Sequence, residues 1–311
     1  MLIFQGISPA RAPAVDRVVT IGNFDGVHLG HQSLIARVMA VGKSQSLRPT
    51  VVTFEPHPKA YFTPDQAPGK IQGLRGKALA LAQAGVQELR ILRFRKSLAQ
   101  MSAEDFMEVF LHRSLRAKAI VIGDDFRFGA KRRGDVQMLR DAGERFGWAV
   151  HAMPTVDVDG ERASSSRLRD ALAAGDIAGA TALMGRPYSL SGHVVHGRKL
   201  GRDIGFPTLN IAVQRTLIIR GVFVVSVHGL GDDPIEGVAS LGHRPTVEAH
   251  GRLLLEVHLF DWQGDAYGKT VNVIFHEKLR NELRFDSMDA MIRQIQLDAQ
   301  QARHYFAQHV L

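Results

Sequence analysis

RVVTIGNFDGVHLGH, Arg17 to His31, joins a short β-branched run to a loop with glycines at Gly22, Gly26 and Gly30. RVVTI (Arg17 to Ile21) has the composition of a buried strand, and Leu34, Val38 and Val41 recur at helical spacing after His31. Strand, glycine-rich turn and helix in that order make an anion cradle. The glycines let backbone N–H groups approach a phosphate, and the helix start adds the positive end of its dipole. His28 and His31 stand at the helix entrance, where imidazole N–H donors can meet charge building on a phosphate during transfer. Taken alone, a His-x-x-His pair reads as a helix cap. Asn23, Phe24, Asp25 and the three glycines behind a strand turn the reading toward phosphate chemistry. No third and fourth ligand accompanies the histidines, which argues against zinc.

Outward from this unit, strand and helix keep alternating. TVVTF (Thr50 to Phe54) precedes a helix through Leu74, Ala78 and Leu81 that stops at Gly85. ELRILRF leads to Ser102, which with Asp105 forms a capping-box pattern opening a helix to about His112; KAIVIG (Lys118 to Gly123) and WAVHAM (Trp148 to Met153) follow. The alternation predicts an α/β doubly wound, Rossmann-like parallel sheet with crossover helices, whose ligands bind beyond the carboxyl ends of the strands, where Gly22 to His31 lies. From Ser164 two short helices are expected. GRPYSLSG (Gly185 to Gly192) breaks the periodicity, so a domain boundary is expected near Arg186, giving domains 1–186 and 187–311. Beyond it, GHVVHG, GVFVVSV, IEGVASL, LLLEVHLF and TVNVIF read as successive strands of a mainly antiparallel barrel. The tail from Ser287 reads as a C-terminal helix with Met288, Met291, Ile292, Ile295, Ala299 and Ala302 on one face, packed against that barrel.

A chain of 311 residues with 45% hydrophobic and 23% charged residues is long enough for two packed cores. The absence of cysteine removes disulfides, thiolate zinc sites and thiol nucleophiles, and it fits a reducing, cytoplasmic location. The first residues, MLIFQGISPARAPAVDR, break their apolar run after Phe4, and no later run approaches the roughly 20 residues of a membrane span. A soluble protein with no membrane partner is expected. The net charge of +8 is compatible with nucleic acid, but anionic small substrates select for the same balance. Lys131 to Arg133 is short and flanked by glycines, unlike a basic stripe, so it reads as a solvated or nucleotide-contacting loop and no nucleic-acid partner is expected.

A second glycine-rich stretch, GRKLGRDIGFPTLN (Gly197 to Asn210), interleaves Gly197, Gly201 and Gly205 with Arg198, Lys199 and Arg202, a basic loop suited to covering a triphosphate. After Pro207, Thr208 and Asn210 alternate along an extended segment and project the same way. Their neutral oxygens, with ATP phosphates, would complete a magnesium shell. Taken alone, P-T-x-N is a turn entering a strand.

Strand plus GNFDGVHLGH resembles the H-x-G-H signature of the nucleotidyltransferase superfamily. ASSSRLRDAL (Ala163 to Leu172) is similar to its second signature, a hydroxyl-rich, basic helix start in which Ser164, Ser165 and Ser166 would donate to phosphate and Arg169 would hold a polyphosphate oxygen. TFEPHPKAYF (Thr53 to Phe62) and GDDFRFGAKRRGD (Gly123 to Asp135) resemble segments of bacterial bifunctional riboflavin kinase/FAD synthetases, in which they line the nucleotide and flavin pocket. On that resemblance Pro56, His57, Pro58 and Asp125 join the substrate-binding set, and Phe62 and Phe128 either flank an isoalloxazine ring or are plain core.

GRKLGRDIGFPTLN resembles the riboflavin kinase signature, whose Thr and Asn act with magnesium and ATP; Leu209 stands where the family usually has Ala. Glu256 in LEVHLF matches the family's catalytic base. Arg280, Glu282 and Phe285 in LRNELRFDS either form a flavin lid or fasten the barrel to its last helix, and Ser240 replaces an Asn common in the family. The resemblance implies phosphorylation of riboflavin by ATP to FMN in the carboxyl half and adenylylation of FMN by ATP to FAD, with release of pyrophosphate, in the amino half. Mg2+ would be required in both steps. Two alternatives remain: a nucleotidyltransferase for another phosphate substrate with an accessory barrel, and a flavin- or nucleic-acid-binding regulator without turnover.

Overall fold

The computed structural model describes residues 1–7, 13–197, 205–243 and 253–309; its contacts group Met1–Pro68 with Lys77–Ala163 and, separately, Gly69–Gly76 with Ser164–Leu311. In the first unit, strands β1 (Leu2–Gln5), β2 (Arg17–Ile21), β3 (Arg48–Glu55), β4 (Glu88–Arg93), β5 (Ala117–Gly123) and β6 (Ala149–Met153) form one sheet in the order β1-β4-β3-β2-β5-β6. Every neighbouring pair is parallel. The order reverses beside β2, which pairs with β3 on one side and β5 on the other, so the loop after β2 opens at a topological switch point.

Alternate residues of the strands serve opposite faces. Val18, Ala119 and Val121 pack against Val38 and Val41 of helix α1 (Leu29–Gln45). On the other face, Val19, Ile21, Ile120 and Ile122 share a core with Phe106, Met107, Phe110, Leu139 and Trp148. That layer also carries the short helix α4 (Lys96–Ala99), α5 (Ala103–Asp105), whose wider continuation runs over Phe106–Ser114, and α6 (Val136–Phe146). The Ser102 hydroxyl accepts the Asp105 N–H at 2.9 Å, as the capping pattern predicts. Two further helices, α2 (Pro58–Phe62) and α3 (Leu74–Gln83), lie between β3 and β4, and a small hairpin joins β7 (Asp157–Val158) to β8 (Glu161–Arg162).

A buried ion cluster ties the β2 and β4 starts together. Glu88 accepts from Arg17 Nε at 3.0 Å and Nη2 at 3.1 Å and from Arg90 Nε at 2.6 Å. Burial pushes the Glu88 carboxyl up, but the hydrogen bonds and charges of Arg17 and Arg90 outweigh it and hold it below the usual carboxylate range.

In the second unit, β9 (Ser189–Val195), β10 (Thr208–Ala212), β11 (Gly221–His228), β12 (Ile235–His243), β13 (Leu253–Leu259) and β14 (Thr270–Arg280) close an antiparallel barrel in the order β10-β13-β12-β11-β14-β9. Register places Ile211 opposite Leu255, Leu255 opposite Leu241, Val257 opposite Ala239 and Val225 opposite Phe275, and these buried residues share the inner face. Helices α7 (Ser165–Ala174) and α8 (Ile177–Met184) group with the barrel by contacts, and α8 packs on β14. The last helix, α9 (Met288–Gln308), begins at Ser287, whose hydroxyl accepts the Ala290 N–H, and buries Ala299, Ala302 and Phe306 against Val222, Val224, Val238 and Phe260 on the outer face.

Several departures from the sequence reading are local. β1 adds an unforeseen edge strand, and α1 starts at Leu29, so His28 precedes the helix and His31 lies within it. β9 begins at Ser189, inside the segment read as a break, and Met288, the first residue of α9, is exposed rather than packed on the barrel.

Candidate active sites

The loop after β2 is tightly held. Gly22 N–H donates to the Val52 carbonyl at 3.0 Å, while the Asn23 carbonyl accepts from Thr53 Oγ1 at 2.9 Å and Lys77 Nζ at 2.6 Å. Phe24, Gly26 and Val27 all have positive φ, and Phe24 is fully buried, so the chain curls over its own phenyl ring to reach α1. Asp25 is buried in the same loop. Only Gly26 adopts such a backbone without steric cost.

His28 occupies the N-cap position of α1, yet its side chain makes no capping hydrogen bond and is only 6% exposed. Its ring stacks on His31 with centroids 3.7 Å apart, and His31 contacts Phe24 at 4.9 Å. A Cβ on Gly30 would stand 3.1 Å from His28 Cε1 and 3.4 Å from the Ala163 carbonyl, so glycine there leaves room for the ring. The capping alternative does not describe this pair. The arrangement offers stacked imidazoles beside backbone N–H groups at a helix start, a combination suited to stabilising phosphate charge. The Asn23 Oδ1 atom is buried without a hydrogen-bond partner among the described residues, as expected of a group reserved for a ligand.

Around this loop the other expected residues divide. His57 caps α2 through Nδ1, which accepts the Lys59 N–H at 3.1 Å, between Pro56 and Pro58. Phe62 is 62% exposed and forms an aromatic trio with Tyr61 and Phe94. Phe128 packs in the core and stacks on Phe126, where the β5 loop folds back through the Phe128–Gly134 bridge. Asp125 is exposed and pairs with Arg162 at 2.8 Å; that hydrogen bond, foremost, holds its carboxyl below the usual range.

In the second unit, Ser164 caps α7 by accepting the Arg167 N–H at 3.2 Å, and Ser165 and Ser166 form the first turn. Arg169 donates through Nε to the Gly69 carbonyl at 2.8 Å and through Nη1 to the Ser165 carbonyl at 3.2 Å, which fixes the guanidinium beside the serine backbone.

On the barrel, Asn210 stands directly across from Glu256, and Thr208 from His258. Opposed residues of an antiparallel pair share a face, and β13 buries Leu255 and Val257 while leaving Glu256 and His258 partly open, so this face is the outer one. Asn210 is only 6% exposed even so. Part of the reason is Gly197: a Cβ there would lie 2.2 Å from Asn210 Nδ2. Gly205 has φ +81°, and Pro207 is exposed before Thr208. Lys199, Gly201 and Arg202, like Arg198, lie outside the described residues. Leu209 faces Val257, away from Thr208 and Asn210.

The same register continues around the barrel: Ser240 neighbours Glu256, Val222 neighbours Ser240, and Arg280 neighbours Val222. Arg280 forks onto Asp298 of α9 at 2.9 and 2.6 Å, with Phe285 5.9 Å from its guanidinium. These bonds tie Arg280, at the end of β14, to the last helix.

Among the described residues no group of three or more His, Cys, Asp or Glu could hold a metal. The oxygens of Thr208 and Asn210 instead suit a hard cation carried mainly by phosphates. Sequence reasoning passed over Lys77, Arg162 and His258. No local signal marks them: each acquires its role from a partner far along the chain.

Two family models match the chain: FAD synthetase over residues 11–167 and riboflavin kinase over residues 184–306. The bifunctional riboflavin kinase/FMN adenylyltransferase of Escherichia coli (strain K12) is 43% identical over 308 residues, 98% of either chain. The protein of the same name from Pseudomonas fluorescens is 41% identical over 97% of either chain. A solved structure described as a macrolide-efflux protein from Streptococcus pneumoniae matches with a TM-score of 0.81 at 30% identity, over 97% of this chain and 99% of that one. Its name denotes transport; among the described residues here, no helix is long and apolar enough to cross a membrane.

Proposed function

The chain belongs to the bifunctional riboflavin kinase/FMN adenylyltransferase family, and from that premise we propose that it converts riboflavin to FMN and FMN to FAD, consuming ATP at each step. Residues 187–311 carry the first reaction and residues 1–186 the second. The observation that carries the reading is the pairing of Asn210 with Glu256 across β10 and β13, which sets a carboxylate beside two neutral oxygen ligands on one face.

Glu256 accepts the proton of the riboflavin 5′-hydroxyl as that oxygen bonds to the γ-phosphorus of ATP and ADP departs. Thr208 and Asn210 would hold Mg2+, which would neutralise phosphate charge. Lys199 and Arg202, in the glycine-rich stretch of the sequence before Pro207, supply positive charge for the triphosphate. In the second reaction an FMN phosphate oxygen attacks the α-phosphorus of ATP and pyrophosphate leaves. His28 and His31 steady the charge there, with N–H groups from the loop Gly22 to Gly30. Ser164, Ser165, Ser166 and Arg169 hold the departing pyrophosphate. Phe62, exposed within its aromatic trio, offers apolar surface to the flavin. The absence of cysteine suits a cytoplasmic enzyme acting on small molecules.

Incubation with riboflavin, ATP and Mg2+, followed by chromatography of the flavins over time, tests the proposal. FMN should rise first and FAD follow. A protein that leaves riboflavin unchanged, or stops at FMN when supplied with excess ATP, defeats the corresponding half.

A further inference from the structure

His258 is bound to the very peptide that precedes the candidate metal ligands. Its Nδ1 lies 2.9 Å from the Pro207 carbonyl oxygen. A carbonyl only accepts, so Nδ1 carries the hydrogen, and it donates whether the imidazole is neutral or protonated. The ring is clamped between Phe206, with centroids 5.2 Å apart and planes at 67°, and Phe260, at 5.8 Å and 72°. Phe260 belongs to the apolar cluster beneath α9, and Phe206 packs against that cluster.

The consequence runs through covalent geometry. The Pro207 carbonyl shares its peptide plane with the Thr208 N–H, and a planar peptide leaves few ways to move one without the other. Thr208 is the register partner of His258, as Asn210 is of Glu256. Two rungs of one ladder thus set Thr208 across from the imidazole and Asn210 across from the carboxylate, and the His258 bond pins the end of β10 where the chain enters from Pro207. Without it, that end keeps its ladder pairing with β13 and the packing of Phe206 but loses the side-chain anchor.

Resting on the proposed kinase reaction, we infer that His258 is a positioning residue for riboflavin phosphorylation, acting through the Pro207 carbonyl to keep Thr208 and Asn210 aligned opposite Glu256. It need not touch substrate. Misplacing a reacting group by about 1 Å costs on the order of 100-fold in rate, which sets the size of the expected effect.

Two amides separate this role from general packing. In His258→Asn, the side-chain Nδ2 falls near the place of Nδ1 and can still donate to Pro207; in His258→Gln, the amide falls near Nε2 and cannot. The full-length protein is assayed for ATP-dependent riboflavin phosphorylation, and FAD formation from supplied FMN serves as a control for folding. His258→Gln should lose roughly 100-fold in kcat with a smaller change in the KM for riboflavin, and His258→Asn should stay within about tenfold of the native rate, with the native pH profile. Equal activity of both variants, whether both native or both impaired, overturns the inference. A native protein that does not phosphorylate riboflavin instead defeats the kinase reading on which it rests.

Discussion

Glu256 lies directly across the β10–β13 ladder from Asn210, on the barrel's outer face, with Ser240 at its other shoulder. A carboxylate and an amide in that relationship are held by backbone hydrogen bonds on both sides, so neither depends on a mobile loop for its placement. Their separation from the loop after β2 in the chain implies that the two reactions fail independently.

Glu256→Gln keeps the shape of the side chain and removes the carboxylate proposed to accept the proton. Riboflavin phosphorylation should fall by about 100-fold or more, while conversion of supplied FMN to FAD stays native. Loss of both activities, measured by separate initial rates, contradicts independent sites.

Gly30→Ala probes the histidine pair from the opposite side. Alanine gains about 0.8 kcal/mol of helix propensity, but its Cβ would stand 3.1 Å from His28 Cε1, so the ring must give way. The melting temperature should change little while FAD formation from FMN drops about tenfold and FMN accumulates. His28→Ala should accumulate FMN as well. An unchanged adenylylation rate in Gly30→Ala would show that the ring's seat is unimportant.

The Glu88 cluster predicts a pH-dependent stability of the first unit. Because Arg17 and Arg90 hold the folded-state carboxyl low, Glu88 contributes fully above the unfolded value of about 4.3, and the contribution disappears as pH falls through the lower folded value. Glu88→Gln leaves the buried guanidiniums without their counter-charge and should cost about 3 kcal/mol near neutral pH. Denaturant titrations at several pH values should find the native and variant stabilities converging below pH about 4. A constant difference down to acid pH would contradict this assignment.

His276 acts with the same pH sense on the second unit. Burial first, then the charges of His228 and His309, pushes its pKa down, and its Nε2 lies 2.9 Å from Ser226 Oγ. The unfolded chain takes up a proton near pH 6.5 while the folded one resists it, so stability is complete above that pH and declines as pH falls through it. Thermal melting at pH about 7.5 and 5.5 should show a loss that His276→Gln reduces. An identical loss in the variant would assign the effect to other groups.

Much of this organisation is written locally. β-branched runs, a capping serine before α5 and another before α9, and glycines where the chain must turn all express preferences that each residue satisfies with its neighbours. The edge strand β1 escaped detection because four residues are too few to show an alternation of their own; they become a strand only by pairing with β4. Arg17, Glu88 and Arg90 were equally opaque. In a strand read by itself their charges suggest solvent, but both faces of this parallel sheet are covered, and the charges survive burial by meeting one another.

Local sequence sets the order of strand, glycine turn and helix, the alternation that sends Thr208 and Asn210 to one face, and the residue types at both motifs. Tertiary structure alone decided that Asn210 meets Glu256, that His258 grips Pro207, that Phe128 is core and that Arg280 is spent on Asp298. Local pattern sets the direction in which a side chain leaves the backbone, whereas its partner depends on strand register and helix docking, which only the packing of distant segments can select.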